Sequence, residues 1–208
     1  PQAPGVVDAE PRGLAAANPA RPAEAGNGPF DARTSMRTPA TEAIGVRMFD
    51  DFVSPRAATI RAVTWQGIYC REVPNGGPPP ATAVAFRVAF HADANGSPDP
   101  ARVLQEAVYP VARTTQVLDR TFMARCGSAN TTYAAYSYGV TLDRPFRAMP
   151  GVRHWFTVQA HVADNPAGRP LTYWGWVSGA PFNGRSVQLG EDGRVNVFRL
   201  DRSYGLIE

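Results

Sequence analysis

Val152-Arg-His-Trp-Phe-Thr-Val-Gln-Ala-His-Val162 decides how the rest of the chain reads. Taken in steps of two, Phe156, Val158, Ala160 and Val162 fall on one face, and Trp155, Thr157, Gln159 and His161 on the other. A pleated strand produces this alternation because successive side chains leave opposite sides of the backbone. The stretch reads as a long half-buried β-strand with an apolar inner face and an aromatic-polar outer one.

Working outward, weaker versions of the same pattern recur. Ala83 to Ala92 points Val84, Phe86, Val88 and Phe90 inward and Arg87 and His91 outward, and Asp93-Ala-Asn-Gly-Ser-Pro98 then turns the chain. Strand signals also cover Val46–Phe52, Ala58–Tyr69, Val103–Val111, Thr115–Met123, Thr131–Leu142, Leu171–Val177, Val187–Leu189 and Val195–Leu200, with Gly190-Glu-Asp-Gly193 as a hairpin turn between the last two. Arg144-Pro145 and Pro150-Gly151 bracket one more short strand. About ten short strands at near-regular spacing, with no helical periodicity and no fixed repeat, predict an all-β protein: an antiparallel β-sandwich, jelly-roll-like.

Composition agrees. Twenty prolines and nineteen glycines among 208 residues break helices and favour turns, and 44% hydrophobic residues suffice for a core. The net charge of +3 is mild and forms no nucleic-acid stripe. All 21 basic residues are arginine, which excludes Schiff-base, P-loop and Ser-Lys chemistry and lysine isopeptide links. No apolar run reaches the roughly 18–20 residues of a membrane span. The chain opens on Pro1 and not on methionine, so a processed or trimmed end is expected.

Residues 1–43 differ sharply from the rest of the chain. Pro1-Gln-Ala-Pro-Gly5, Asn18-Pro-Ala-Arg-Pro22 and Gly26-Asn-Gly-Pro29 are breakers separated by alanine and charge. Such a segment predicts an extended arm preceding a sandwich domain at 44–208, with Val6, Val7, Leu14 and Phe30 as its plausible anchors. The two cysteines, Cys70 and Cys126, sit beside turn-like sequence and are expected to form a disulfide, which fits a secreted chain. Closing so long a loop stabilises by roughly 4 kcal/mol in the chain-entropy account.

The order of Phe49-Asp-Asp-Phe52, Thr64-Trp-Gln-Gly67, Phe90-His-Ala-Asp-Ala-Asn-Gly-Ser-Pro98, Tyr136-Ser-Tyr138, His154-Trp155 and Trp174-Gly-Trp176 resembles a class of secreted bacterial β-sandwich modules. Those modules carry DDF, TWxG, ADxxGxP-like and WxW elements in that order. The resemblance spans residues 44–178 and implies an extracellular, non-catalytic module. The arm, the cysteine pair and the 70–83 loop depart from the pattern, and no functional residue carries over.

Candidate sites rest on residue type and spacing. A nucleophilic hydrolase needs a base against its nucleophile, yet His154 and His161, seven apart on one strand, face opposite ways, and no G-x-S-x-G elbow exists. Asp50 and Asp51 are adjacent on a strand and cannot flank one glycosidic bond; one of them is expected to cap a turn or accept backbone hydrogen bonds. No catalytic residue or cofactor is expected. Asp93, Asn95 and Asp99 faintly resemble a calcium loop, lacking its bidentate glutamate, and an Asn-Gly turn is the commoner meaning. Trp174 and Trp176 share a face; with Tyr173 and Trp155 they form a possible sugar-stacking platform, against the alternative that indoles fill the core. Asn130-Thr-Thr132 matches a glycosylation sequon and reads as chance.

The expectation is therefore a non-enzymatic extracellular structural subunit of a surface or filament assembly, its arm contacting the neighbouring subunit. The alternative is a carbohydrate-binding or adhesion module using surface tryptophans.

Overall fold

The computed structural model describes residues 30–34, 36–37, 45–71, 83–126, 129–162, 172–178, 185–190, 192–199, 202 and 204–208. At 30–37, 70–71, 119–133 and 172–173 only the backbone is described. Among the described residues thirteen strands follow one another: β1 (Phe30–Thr34), β2 (Met36–Arg37), β3 (Arg47–Val53), β4 (Ala58–Arg71), β5 (Ala83–Asp93), β6 (Pro98–Pro110), β7 (Thr115–Cys126), β8 (Ala129–Ala148), β9 (Arg153–Val162), β10 (Thr172–Val177), β11 (Ser186–Leu189), β12 (Val195–Phe198) and β13 (Tyr204–Ile207). A short 3-10 turn, Val111–Arg113, joins β6 to β7. The all-β sandwich is as the sequence predicts.

One sheet runs β10-β1-β7-β8-β4-β13, and β10 also pairs with β4. The other runs β12-β11-β3-β9-β5-β6, with β2 beside β9. Pairing is antiparallel except where β1 meets β7 and β2 meets β9. The alternating stretch at 152–162 becomes β9, between β3 and β5 in the seven-stranded sheet. Its inner residues Phe156, Val158, Ala160 and Val162 meet Phe86, Val88 and Phe90 of β5, and Trp65, Tyr138, Trp174 and Trp176 from the facing sheet, in one continuous core. Aromatic rings dominate it: Trp65 stacks on Tyr138 at 5.6 Å and Phe90 on Phe146 at 4.1 Å.

Three details correct the sequence reading. Residues 30–34 and 36–37, assigned to the arm, are strands: Ala32, Arg33 and Thr34 pair with Val177, Trp176 and Gly175, and Met36 and Arg37 with Ala160 and His161. Val84 does not face in; the register shifts between Ala83 and Ala85, so Ala83 is buried and Val84 stands 57% exposed. The short strand expected after Pro145 is the end of β8, which continues through Arg144-Pro145 by bulging. The anchors Val6, Val7 and Leu14 and the 72–82 loop lie outside the described residues, as does the side chain of Phe30.

Candidate functional site

The outer face of the seven-stranded sheet is where sequence and structure part. Alternation alone predicts that Trp155, Thr157 and Gln159 meet solvent there; all three are buried. Over Trp155 the cover is the β5–β6 hairpin. Asn95 and Gly96 take φ of 55° and 81°, Ala94 and Ser97 exchange backbone hydrogen bonds of 2.8 and 3.2 Å, and the result is a tight two-residue turn. Asp93 holds this turn on the sheet: one carboxylate oxygen accepts the Gly96 N–H at 2.8 Å and the other the Trp155 indole N–H at 2.8 Å. The Arg185 guanidinium lies 5.9 Å from the Trp155 ring. Of the faint calcium-loop residues, Asp93 is engaged by two N–H donors, Asp99 Oδ1 accepts the Ala101 N–H at 3.1 Å, and Asn95 sits in the Asn-Gly turn.

Beneath the hairpin, Phe49, Trp155 and Val187 form a second apolar cluster with Leu189 against it. The register Phe49–Val187–Val197 and Leu189–Val195 carries this face out to β12. Ser97, Pro98 and Pro100 lean over it and leave an apolar cleft of about 110 Å³ lined also by Phe49, Val187, Leu189 and Val195. Val195 and Val197 then stand 56% and 58% exposed on the terminal strand, where β12 has β11 as its neighbour among the described residues. A narrow apolar slot opening on a valine-bearing sheet edge can receive an extended apolar segment.

The polar half of the same face is closed. Arg87 pairs with Glu106, Gln159 Nε2 donates to the Val46 carbonyl at 3.0 Å, and Arg47 lies 5.7 Å from the Phe49 ring. His91 meets Phe49 edge-on at 5.2 Å, and its Nδ1 is 3.1 Å from the Asp99 carbonyl. Burial pushes the His91 pKa down to about 4, helped by Arg87 and Arg47 and opposed by the Asp99 carbonyl and Glu106. His154, on the inner face, contacts Phe52 and Phe146, and burial lowers its pKa too. Among the described residues, no three His, Cys, Asp or Glu side chains gather as a metal site.

Residues 21–198 match the family model described as Domain of unknown function (DUF7901). The chain belongs to that family. No curated protein and no solved structure matched the chain. The DUF7901 span begins upstream of β1 and ends at Phe198, the last residue of β12, so it contains both the hairpin and the cleft, while β13 lies beyond it. The start at residue 21 agrees with β1 and β2 being part of the sandwich.

Trp155, Trp174 and Trp176 are fully buried, which corrects the sugar-stacking platform. Trp174 and Trp176 do share a face, but it is the inner one: Trp174 meets Phe86 and Tyr138, and Trp176 meets Phe156 and Tyr204. The side chains of Tyr173 and Asn130 lie outside the described residues, and so do those of Cys70 and Cys126, whose backbones pair with Tyr173 and Ala129. Asp50 and Asp51 take opposite faces as expected. Asp50 Oδ1 accepts the Asp51 N–H at 2.9 Å, and its other oxygen accepts the Arg202 N–H. Asp51 pairs with Arg153 at 3.2 Å. Sequence reasoning missed Arg202, which is wholly buried and reaches Ser186 Oγ and the Trp176 carbonyl, both at 3.3 Å. Its surroundings, Asp201-Arg-Ser, resemble a surface loop, so no local pattern marks it. Among the described residues no helix is long and apolar enough to cross a membrane.

Proposed function

We propose that this chain is a non-enzymatic extracellular structural subunit whose N-terminal arm, residues 1–29, contacts the outer sheet face of a neighbouring copy. The observation that carries the reading is the apolar cleft under the β5–β6 hairpin, continuous with exposed Val195 and Val197 on β12, whose neighbour among the described residues is β11. The arm supplies complementary chemistry, being rich in proline and alanine with Val6, Val7 and Leu14 spaced along it. Proline-rich segments enter such clefts with little further loss of entropy, because the polyproline conformation is set beforehand. At ~3.1 Å per residue the arm spans up to about 90 Å, enough to reach another copy. It leaves from β1 in the six-stranded sheet, whereas the cleft lies on the outer face of the other sheet. The contact is thus head-to-tail, and such contacts build open assemblies when the rotation does not close. Extracellular placement rests on the resemblance to secreted modules and on the cysteine pair.

Light scattering with negative-stain imaging tests the reading on the full chain, a chain lacking residues 1–29, and a Val195→Lys/Val197→Lys variant. Concentration-dependent assembly of the full chain alone is the expected result. Assembly by the truncated chain, or a full chain that stays monomeric at high concentration, overturns it.

A further inference from the structure

A different surface, at the seam between the sheets, carries a second inference. Where Ile60 pairs with Phe146 and Ala62 with Thr141, β4 has one intervening residue, Arg61, while β8 has four, from Leu142 to Pro145. The excess chain must leave the ladder as a wide bulge. Opposite it, β6 has its own irregularity: Phe90 pairs with Gln105 and His91 with Val103, leaving Leu104 over.

The two irregularities are tied together. Gln105 Nε2 donates to the Arg144 carbonyl, the Asp143 N–H donates to Tyr109 Oη at 3.2 Å, and Arg113 pairs with the Asp143 carboxylate at 2.5 and 3.3 Å. Between them lies a groove of about 620 Å³ lined by Arg61, Arg144, Arg147, Thr59, Gln105 and Phe146, among others. That is within the range of about 300–1,000 Å³ in which proteins hold small ligands.

The groove is basic and its charge is unanswered. Arg61, Arg144 and Arg147 are all exposed, and none of the three has an acidic partner among the described residues. The adjacent acid, Asp143, is taken by Arg113. Three guanidinium groups on one bulged ladder present forked donors to planar or tetrahedral anions. Thr59 brings a hydroxyl, and Gln105, with its amide nitrogen committed to Arg144, keeps a carbonyl oxygen that can accept from a hydroxyl.

We propose that this arginine-lined groove is a binding site for an acidic polysaccharide, its carboxylate or sulfate groups held by Arg61, Arg144 and Arg147 and its hydroxyls by Thr59 and Gln105. The groove offers a nucleic acid no ring to stack on. Phe146 is only 5% exposed and lies flat on Phe90, interplanar angle 5°, whereas strands of nucleic acid are held by aromatic faces open to the bases.

The test is a binding titration of the full chain with four labelled probes: polygalacturonate oligosaccharide, a sulfated heparin-type oligosaccharide, neutral dextran and single-stranded DNA. The first two separate carboxylate from sulfate as the group recognised. Arg61→Gln, Arg144→Gln and Arg147→Gln are measured singly and combined, beside Arg194→Gln, whose side chain is 85% exposed on the β11–β12 turn. Near-UV circular dichroism of the buried tryptophans checks each fold, and the single variants decide the matter if the triple does not fold.

We expect at least one acidic glycan to bind, more weakly as salt rises. Each single substitution then loses about tenfold, the triple a hundredfold or more, and Arg194→Gln stays within about twofold. Absence of binding to both acidic glycans, equal loss with Arg194→Gln, no loss in the groove variants, or DNA binding as tight as glycan binding each overturns the proposal.

Discussion

His91 lies against Phe49 with Arg87, Arg47 and Glu106 as the charged groups facing it, and burial there favours the neutral ring. The consequence for stability has a definite sign. Unfolded, the ring binds a proton near pH 6.5; folded, not until about 4. As pH falls between those values the unfolded chain takes up a proton that the folded chain refuses, so folding free energy is lost, up to about 3 kcal/mol by pH 4. His154 shifts in the same direction, through burial, and adds to the loss. Glu106, held low by Arg87, loses its contribution as pH falls below the ordinary carboxylate range, so the interval from 6.5 to 5 isolates the histidines. Urea unfolding across that interval should show stability falling with pH, and His91→Gln should start lower and fall less. A flat profile in the native chain would mean that the ring is charged in the fold. The sequence placed His91 correctly on the outer face of its strand. It could not show the face to be covered, because the cover is a turn locked by Asp93 to a tryptophan 62 residues away.

At the scale of strands, the tryptophan motifs explain one another. A Cβ on Gly67 of β4 would stand 2.3 Å from the Trp174 ring of β10, and that ring is held by Phe86 and Tyr138. The glycine after Thr64-Trp-Gln thus makes room for the first indole of Trp174-Gly-Trp176. Gly67→Ala should cost about 3 kcal/mol through overpacking, read as a lowered denaturant midpoint with a changed near-UV tryptophan signal. An unchanged midpoint would show that Trp174 repacks freely. Period-two alternation put Trp174 and Trp176 on one face, and the structure keeps them together. Alternation cannot say which face is covered. That depends on β10 lying between β1 and β4, a set of pairings between segments far apart in the chain. The same limit hid β13: Tyr204-Gly-Leu-Ile207 is too short to signal a strand, and it forms by pairing with Ala62–Trp65.

At the scale of the whole molecule, β1 is the strand that closes a ring. The order β10-β1-β7-β8-β4 returns to β10 through the β10–β4 pairing, so the edges of β7 and β10 beside β1 are covered by residues 30–34. The sequence read Phe30-Asp-Ala-Arg-Thr34 as arm because it is short, mixed and preceded by breakers; its strand character comes from two neighbours more than 85 residues away. Two truncations therefore separate what sequence alone merged. Removing residues 1–29 leaves every described strand in place and should move the calorimetric melting temperature by no more than about 2 °C. Removing residues 1–37 takes away β1 and β2, with several ladder hydrogen bonds worth about 1 kcal/mol net each, and exposes the edges of β7 and β10. A loss of about 3 kcal/mol in a chain of this size lowers the melting temperature by about 10 °C. Equal melting of the two truncated chains would mean that β1 lies outside the cooperative unit, and assembly lost on deleting 1–37 would then have to be ascribed to the arm alone. With β1 inside the unit, only the 1–29 deletion tests assembly cleanly, because it removes the arm and leaves the edge of its own sandwich closed.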